Sequence, residues 1–490
     1  MTFWARENLN STAINGRLMA FNLAGIRHFG SQIFRADFCC QDPRSFGGNM
    51  NIDCVDTAIP VLGESKITSP IKSREETNVF ISDADQVMID VNLDRMKALI
   101  QEGRQIPAFE MAGPREKIYF DPSKVRCALV TCGGLCPGLN DIIRSIVLGL
   151  FYAYGVSNVY GIRYGLQGFI PKYGHDIFPL TPPDVSGILE RGGSILGSSR
   201  GPQPIDDIVD CLERMNIGVL FMIGGDGTLK AATKIADCIT ERGLKISVVG
   251  IPKTIDNDIY LVSRSFGFDT AVDIATLAIK AAHSEAEGYP NGIGLIKLMG
   301  RYSGFIASTV VLAQQDVNFV LIPEVDFDLE GPRGLLAALE KRLNDRKHAV
   351  IVVAEGAGQK YFTDANTDMD KSGNIKLNDI GLFLKDSVHA YFKARNVDIS
   401  LKFIDPSYII RSLPANANDH AFCSVLGRDA VHAGMAGKTR LLIGHWNNHF
   451  AHIPMSASVG KRKQVDTNGK LWRSVLESTG QGRLTNIQTA

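Results

Sequence analysis

From about residue 125 onward, short runs of apolar residues alternate with segments in which apolar residues recur at the spacing of a helix. The clearest runs are Val125–Val130, Val219–Ile223, Ile246–Val249, Ile293–Leu298 and Val350–Ala354, and a glycine or a polar residue follows most of them directly. Continuous apolar runs of this length are typical of strands that are covered on both faces. The pattern therefore predicts a series of buried strands.

The segment after Gly138 shows the helical part of this alternation. Its apolar residues form one stripe along a helix and are Ile142, Ile143, Ile146, Val147, Leu150 and Phe151. A strand, a turn and a helix in repeated order predict an α/β fold with mainly parallel sheets and helices on both faces. Ligands bind at the carboxyl ends of the strands in such sheets, so the turns after the strands are the candidate functional segments.

The N-terminal part of the chain has a different composition. The first 50 residues contain five Arg, three acidic residues and no Lys. An Arg-rich, acid-poor N-terminus is typical of an organelle presequence. A poorly ordered extension over residues 1–75 and a wrongly assigned start codon are alternatives that the sequence leaves open. Residues 76–122 are mixed and polar, and we expect them to form an arm that wraps the core.

Composition narrows the class of protein. The chain has 490 residues, of which 45% are hydrophobic and 21% are charged, as in ordinary globular proteins. Its 52 basic and 52 acidic residues give zero net charge, which does not support a nucleic acid or a membrane surface as a partner. The nine Cys lack zinc-ligand spacing, and no apolar run approaches the roughly 20 residues of a membrane span. We therefore expect a cytoplasmic protein with free thiols.

The turn after the first strand, Thr131–Asn140, contains Gly133, Gly134 and Gly138. Glycines let backbone N–H groups approach a phosphate, and the helix that follows presents its positive end to the same place. The motif is neither a Walker A loop nor a GxGxxG fingerprint, so a simple tight turn is an equally good interpretation.

The turn after the second strand has the sequence Gly224-Gly225-Asp226-Gly227-Thr228 and precedes another predicted helix. Its glycines leave space for a nucleotide. The carboxylate of Asp226 is a suitable ligand for Mg²⁺ beside phosphates, because hard cations prefer oxygen. This motif indicates phosphoryl transfer without identifying the acceptor, since NAD kinases and lipid kinases contain it too.

The turn after the third strand has the sequence Pro252-Lys253-Thr254-Ile255-Asp256-Asn257-Asp258. Its two carboxylates, on Asp256 and Asp258, can divide the work of a phosphoryl transfer. One can accept the proton of an attacking hydroxyl, while the other supports a metal or orients its neighbours. The spacing alone is weak evidence, because paired Asp residues are common in surface turns.

Charged and polar residues also follow the later strands. Arg301 lies in a glycine-flanked turn and is free to point into a cleft, where it can neutralise charge on a transferring phosphoryl group. Glu355 follows a strand end and suits the hydroxyls of a sugar. The remaining candidates can surround a sugar phosphate or line a basic, glycine-rich turn, and they are Arg200, Lys402, Tyr408 and Arg411.

In this order and at this spacing, the motifs GGDGT, PKTIDND, MGR, AEG and PSYIIR resemble the phosphofructokinase family. The resemblance covers about Val125 to Gly437 and is specific, because NAD kinases share only GGDG. Within the family, the chain is most similar to the long ATP-using enzymes of plants and trypanosomatids. Their sequences are close to the branch that uses pyrophosphate.

The resemblance implies an α/β fold of two similar Rossmann-like domains with mainly parallel sheets that face each other across a cleft, plus an N-terminal arm. It puts a nucleotide-binding domain at residues 123–258, joined by part of the C-terminal region. A sugar-phosphate-binding domain follows at 259–437, and a C-terminal segment at 438–490. It also implies a glycolytic, allosterically regulated kinase that forms homo-oligomers, commonly tetramers, with sites completed across subunits.

The catalytic roles of the family carry over to matching positions of this chain. Asp256 matches the base that takes the proton from the 1-hydroxyl of fructose 6-phosphate. Asp226 matches the residue that holds Mg²⁺. Arg200 and Arg301 match arginines that steady the transferring group.

The resemblance also implies two sets of binding residues. Those expected to contact ATP are Gly133, Arg200, Gly201, Gly225, Asp226, Gly227 and Thr228. Those expected to contact fructose 6-phosphate are Thr254, Ile255, Asp256, Met299, Gly300, Arg301, Glu355, Tyr408 and Arg411. Lys402 falls where many bacterial members have an Arg that reaches the phosphate from a neighbouring subunit. Two positions depart from those members, since Gly292 replaces a second such Arg and Tyr408 replaces a His.

Two positions bear on the phosphoryl donor. Pyrophosphate users typically have Asp at the position of Gly227, and that side chain would crowd and repel an α-phosphate, so Gly227 favours ATP. Lys253 is typical of pyrophosphate users, but the long ATP-using enzymes carry the same combination. We therefore expect Mg-ATP as the donor, with pyrophosphate as the alternative. A catalytically inactive sensor or structural subunit is a further alternative, which the intact Asp226, Asp256 and Arg301 disfavour.

Overall fold

The computed structural model describes residues 55–71, 80–362, 368–369 and 375–486. These residues all belong to one compact unit, Gly47–Ala490. Of the predicted N-terminal extension, only residues 55–71 are described, so the nature of residues 1–54 stays a prediction. No helix in the described ranges is both long enough and apolar enough to cross a membrane.

The strands and helices alternate along most of the described chain. The strands are β1 (Ile67–Thr68), β2 (Gln86–Met88), β3 (Ala108–Met111), β4 (Lys117–Ile118), β5 (Cys127–Thr131), β6 (Val159–Ile162), β7 (Ile177–Pro179), β8 (Val219–Gly224), β9 (Ser247–Pro252), β10 (Gly292–Leu298), β11 (Phe319–Leu321), β12 (His348–Ala354), β13 (Ser400–Ile404), β14 (Leu441–Trp446) and β15 (His449–Pro454). The helices are α1 (Leu93–Gln101), α2 (Leu139–Leu148), α3 (Ile205–Arg214), α4 (Asp226–Glu241), α5 (Phe268–Glu287), α6 (Phe305–Ala313), α7 (Leu335–Arg346), α8 (Ile380–Lys393), α9 (Ile409–Ser412), α10 (Ala417–Met435), α11 (Met455–Ser458) and α12 (Lys470–Thr479).

The larger sheet has nine strands in the order β2-β3-β15-β14-β9-β8-β5-β6-β7. Its five central strands, from β14 to β6, run parallel, while the strands at both edges pair antiparallel. β5, β8 and β9 are buried along their whole length, as their continuous apolar runs predict. Their carboxyl ends lie at Thr131, Gly224 and Pro252, and the three candidate turns therefore start at one edge of this sheet.

The smaller sheet has four strands in the order β11-β12-β10-β13, and all of them run parallel. Leu298 ends β10 opposite Ala354, which ends β12. Arg301 and Glu355 therefore follow neighbouring strand ends of this sheet.

One hydrophobic core joins the two sheets. It contains Phe221 from β8, Val249 from β9, Ile296 from β10 and Val352 from β12, all fully buried. Helices α2, α5 and α10 supply the apolar side chains between them. The two sheets are thus held by shared packing, which fixes the strand ends that carry the candidate residues.

The mainly parallel α/β fold predicted from the apolar pattern is confirmed, with strand bounds that differ by at most three residues. The expected arm of residues 76–122 supplies β2 and β3, which extend the nine-stranded sheet beside β15. Pairing across this edge depends on β15, which lies more than 300 residues later in the sequence, so local pattern did not indicate it. The predicted domain boundaries stay predictions.

Candidate active site

A cavity of about 600 Å³ opens where the carboxyl ends of β5, β8 and β9 approach the turns after β10 and β12. Most of the residues selected from the sequence line it. They are Gly133, Arg200, Gly201, Gly225, Asp226, Gly227, Thr228, Lys253, Thr254, Ile255, Asp256, Met299, Arg301, Glu355 and Arg411. The fold therefore brings the turns after β5, β8, β9, β10 and β12, the loop of Arg200 and the short helix α9 to a single cavity.

The N-terminus of α4 faces this cavity. Gly225 precedes the helix and has no side chain to cap it, so the first N–H groups of α4 are available to an anion. Gly224, the last residue of β8, has no room for a side chain, since a Cβ at this position would lie 2.2 Å from the Thr228 Oγ1 atom. At Gly227, by contrast, an added Cβ would meet nothing within 4 Å. A side chain there would project into open space beside Asp226.

Asp226 begins α4, and its carboxylate has three contacts with positive or N–H groups. Lys230 Nζ lies 2.8 Å from Oδ2, Arg462 Nη2 lies 3.9 Å from Oδ2, and the backbone N–H of Gly460 donates to Oδ1 at 3.2 Å. The side chain of Asp226 is 15% exposed and borders the cavity. Mg²⁺ in kinase sites takes one or two carboxylates, with water and phosphate oxygens as its other ligands, so this donor set fits the ion.

The turn after β5 is held against the loop that carries Arg200. Ser198 Oγ donates to the Gly133 carbonyl at 2.7 Å, and the Gly133 N–H donates to the Ser199 carbonyl at 3.1 Å. Gly133 has a φ of +85°, which glycine adopts without strain. A Cβ on Gly134 would lie only 3.3 Å from Arg200 Nη2. Because Gly133 and Gly134 have no side chains, the Arg200 guanidinium can lie close to the backbone of this turn.

Lys253 and Arg411 complete a group of cations around this turn. The Lys253 ammonium is buried and donates to the Gly134 carbonyl. Burial lowers the pKa of Lys253 from its ordinary value. Burial and, next, the charge of Arg200 lower the pKa of Arg411. Three cationic side chains thus converge where an anionic group would be transferred.

The carboxylates of Asp256 and Asp258 have contrasting surroundings. Thr254 Oγ1 donates to Asp258 Oδ1 at 3.0 Å, and Arg462 Nη1 donates to Asp258 Oδ2 at 2.6 Å. The Asp256 Oδ1 atom is buried and has no hydrogen-bond partner within the part of the chain that the structure describes. Burial, followed by the charges of Asp258 and Glu355, raises the pKa of Asp256 to about 8. Asp258 is therefore committed to other residues, while Asp256 keeps a free acceptor for a substrate.

The turns after β10 and β12 form the opposite side of the cavity. Arg301 Nε lies 4.0 Å from Glu355 Oε1. Burial raises the pKa of Glu355. Gly300 has a φ of +130°, and a Cβ there would lie 2.6 Å from the Ser303 carbonyl oxygen. Gly300 does not itself border the cavity, whereas its neighbours Met299 and Arg301 do.

Two predicted sugar-phosphate residues lie away from the cavity of this chain. Lys402 is in the edge strand β13, paired in register with Gly294, and its ammonium lies 5.0 Å from the ring centroid of Tyr289. Tyr408 is 73% exposed and stacks with Arg411, whose guanidinium carbon lies 4.8 Å from its ring centroid. Neither residue borders the cavity in the single chain.

Arg462 is a cavity residue that sequence reasoning missed. It lies in the segment 459–465, which follows α11 and borders the site. Its guanidinium carbon lies 4.2 Å from the ring centroid of Tyr302, in addition to its contacts with Asp226 and Asp258. The available signal was the basic run Lys461-Arg462-Lys463 after a glycine, but such runs are usually solvated and carry no information about distant carboxylates.

The family model for phosphofructokinase matches residues 126–434 of this chain. The chain is 51% identical over 436 residues to the ATP-dependent 6-phosphofructokinase of Borreliella burgdorferi, a match that covers 87% of this chain and 97% of that protein. It is 48% identical over 375 residues to ATP-dependent 6-phosphofructokinase 7 of Arabidopsis thaliana, covering 76% of this chain and 77% of that one.

Solved structures show the same fold at greater sequence distance. The crystal structure of a pyrophosphate-dependent phosphofructokinase from Marinobacter aquaeolei is similar with a TM-score of 0.60. Its sequence is 20% identical, and the match covers 74% of this chain and 94% of that chain. At this identity the likeness supports the fold of two Rossmann-like domains and leaves the choice of phosphoryl donor to other evidence.

Proposed function

This chain belongs to the phosphofructokinase family, and on that premise we propose that it transfers the terminal phosphoryl group of ATP to the 1-hydroxyl of fructose 6-phosphate. The products are fructose 1,6-bisphosphate and ADP, and the reaction is a step of glycolysis. The observation that carries the proposal is the unpartnered Asp256 Oδ1 in a cavity lined by cations from both sheets.

Asp256 acts as the general base. Its free oxygen accepts the proton of the 1-hydroxyl as the hydroxyl oxygen forms a bond to the γ-phosphorus, and the bond from that phosphorus to the ADP oxygen breaks. A base with a pKa near the working pH is well suited to this proton transfer. Asp258 keeps the turn in place through Thr254 and Arg462. Its charge also helps to raise the pKa of Asp256.

The sugar phosphate is held by the turns after β10 and β12 together with Arg411. Met299, Arg301 and Glu355 border the cavity on that side, and Thr254 and Ile255 border it next to Asp256. The Glu355 carboxylate accepts hydrogen bonds from sugar hydroxyls, while Arg411 pairs with the phosphate. Positioning by these groups keeps the 1-hydroxyl within reach of Asp256.

The nucleotide is held at the N-terminus of α4 and along the turn after β5. The uncapped N–H groups of α4 suit phosphate oxygens, and Gly133, Gly201 and Gly225 let the backbone approach them. Arg200, Lys253 and Arg301 stabilise the charge that spreads over the transferring group. Asp226 would hold Mg²⁺, which when bound supplies positive charge beside the phosphates.

ATP is favoured over pyrophosphate by the space at Gly227. A Cβ would meet nothing within 4 Å there, so an unsubstituted glycine leaves room beside Asp226 for the α-phosphate and nucleoside. The curated relatives at 51% and 48% identity are both ATP-dependent enzymes. Lys253 is the one feature that favours pyrophosphate, and its ammonium is already bonded to the Gly134 carbonyl.

The active form is a homo-oligomer, commonly a tetramer in this family. Lys402 is half-buried and Tyr408 is exposed, and both lie outside the cavity of their own chain, which supports a site that is completed by a neighbouring subunit. A cytoplasmic location is supported by the free thiols of all six Cys in the described part of the chain.

The test is the formation of fructose 1,6-bisphosphate by the purified protein with fructose 6-phosphate and Mg²⁺. ATP and pyrophosphate are supplied in separate reactions. Turnover with ATP supports the proposal. Turnover with pyrophosphate alone would mean that Lys253 marks the donor, and no turnover with either would favour a sensor or a structural subunit.

A further inference from the structure

Two histidines and a glutamate meet at the end of the four-stranded sheet that lies away from the cavity. His283 and Glu287 are one turn apart on α5, and His348 is the first residue of β12. One ligand atom from each residue can be chosen so that all three lie within 4.8 Å of one another. No other group of this kind occurs in the described ranges. We call these three residues the His283 cluster.

In both histidines of the His283 cluster, the Nε2 atom faces the carboxylate of Glu287. His348 Nδ1 lies 3.2 Å from the Arg346 carbonyl oxygen, and a carbonyl can only accept, so this nitrogen carries the proton. The other ring nitrogen of His348, Nε2, lies 4.0 Å from Glu287 Oε1. A backbone carbonyl behind one ring nitrogen is the usual way in which proteins fix a histidine for metal binding through the other.

His283 also faces Glu287 with one ring nitrogen and an oxygen atom with the other. Its Nε2 atom lies 3.5 Å from Glu287 Oε1, while its Nδ1 atom lies 3.7 Å from the carboxylate of Asp316 on the outer side. Both rings thus turn Nε2 towards the same carboxylate oxygen. In a tetrahedral site with metal–ligand distances of about 2 Å, ligand atoms lie roughly 3.4 Å apart. The two histidine–Glu287 separations of 3.5 and 4.0 Å are close to that value, and the three ligand atoms lie within 4.8 Å of one another, so metal binding requires the three side chains to draw together.

Charge and access also fit an ion. Imidazoles bind a metal in their neutral form, so the carboxylates of Glu287 and Asp316 would supply two negative charges to a divalent cation. Both histidine side chains are 22% exposed and that of Glu287 is 56% exposed, so an ion can enter from solvent and water can fill a fourth position. Imidazole ligands favour Zn²⁺ and related transition ions over Mg²⁺ or Ca²⁺.

We propose that His283, Glu287 and His348 bind one divalent transition-metal ion of the Zn²⁺ class, with Asp316 as the outer partner of His283. The ion ties the C-terminal end of α5 to the first residue of β12. This site is separate from the cavity, because Glu355 follows the opposite end of β12, roughly 20 Å away at the usual rise per residue. The bound metal therefore stabilises the folded chain by joining α5 to β12, and it takes no part in phosphoryl transfer.

The experiment measures Zn²⁺ binding to the full chain after treatment with a chelator. Calorimetric titration of the unaltered protein should give one site that is absent, or weakened at least tenfold, in His283→Ala and in His348→Ala. Glu287→Gln should weaken the same site and, because Glu287 is exposed, should fold normally. The matched control is His389→Ala, which removes an exposed histidine on α8 and should leave the titration unchanged.

Two further readouts guard against misfolding and against ions bound elsewhere. Zn²⁺ should raise the melting temperature of the unaltered protein and of His389→Ala, and should leave that of His348→Ala unchanged. Co²⁺, used in place of Zn²⁺, should give visible absorption that Glu287→Gln loses. Equal binding by the unaltered protein and the three cluster variants, or no binding by any of them, would overturn the proposal.

Discussion

The guanidinium of Arg462 lies 2.6 Å from the carboxylate of Asp258, and this contact joins the C-terminal segment to the turn after β9. Arg462 and Asp258 act in opposite directions on the neighbouring Asp256, since the charge of Asp258 raises its pKa and that of Arg462 lowers it. Burial raises the pKa of the proposed base most, and two residues that lie about 200 positions apart in the sequence adjust it in opposite directions.

The first prediction concerns pH. Because Asp256 must be unprotonated to accept a proton, and its pKa is raised to about 8 in the free protein, kcat/KM should rise with pH through that region. Asp258→Asn removes a negative charge and should move this rise to lower pH. Arg462→Met removes a positive charge and should move it to higher pH, each by on the order of one unit. Profiles of kcat/KM against pH for the three proteins check the signs.

If the rise of kcat/KM moved in the same pH direction in both variants, this account would be contradicted. A general disturbance of the site would not depend on the sign of the charge that is removed. Lys461→Met is the matched control for Arg462→Met. It removes a neighbouring, exposed cation, and the charges that shift Asp256 do not include it. Its profile should coincide with that of the unaltered protein.

The second prediction concerns the base itself. Asp256→Ser should lower kcat by about 10² to 10⁴, the usual contribution of a general base, while binding of fructose 6-phosphate survives. Steady-state kinetics and a direct binding measurement check the two parts. Asp345→Ser, which removes an exposed carboxylate on α7, is the control. Turnover close to that of the unaltered protein would exclude Asp256 as the base.

The third prediction concerns the donor. Gly227→Asp should fold normally, because the added side chain meets open space, but kcat/KM for ATP should fall at least a hundredfold as the carboxylate repels the α-phosphate. Gly227→Ser adds a small side chain without a charge, so its kcat/KM for ATP should fall much less. Parallel assays with ATP and with pyrophosphate measure the change. Unaltered use of ATP by Gly227→Asp would show that this position does not discriminate between donors.

The fourth prediction concerns stability at the edge of the nine-stranded sheet. Glu110 on β3 pairs with Lys438 Nζ at 2.8 Å, with Arg115 Nη2 at 2.5 Å and with His452 Nδ1 at 3.0 Å. Burial by itself would raise the pKa of Glu110, but His452 and Lys438 outweigh it and lower this pKa to about 2. Glu110→Gln should cost about 3 kcal/mol of unfolding free energy at neutral pH, since it leaves two buried cations without this counter-ion.

The sign of the pH dependence follows from the lowered pKa. A carboxylate with a folded-state pKa of about 2 contributes its full stabilisation above its ordinary pKa of about 4.3, and loses it as the pH falls towards 2. Urea unfolding at several pH values should therefore show the gap between Glu110→Gln and the unaltered protein closing in acid. Glu102→Gln, at an exposed position, should unfold like the unaltered protein. A gap that stays constant down to pH 2 would exclude this charge effect.

The sequence by itself determined the strands, the turns that follow them and the residue types that the reaction needs. Val219–Ile223 is uniformly apolar and Ile246–Val249 is apolar except for Ser247 because both faces of these strands are covered, and such runs are recognisable without any tertiary information. The glycines around Asp226 and the pair Asp256 and Asp258 stand directly after the strands. Parallel strands carry such turns to one edge of a sheet, so the position of the site followed from local pattern.

The tertiary structure decided what depends on contacts between distant segments. Arg462 entered the site through its pairing with Asp258, and the environment that raises the pKa of Asp256 exists only when both sheets close around the cavity. His283 and His348 are 65 residues apart and meet because α5 packs on β12. Local periodicity records which face of an element is buried, but it holds no information about which other element buries it. Charge pairs and metal ligands between distant segments therefore appear only in the folded chain.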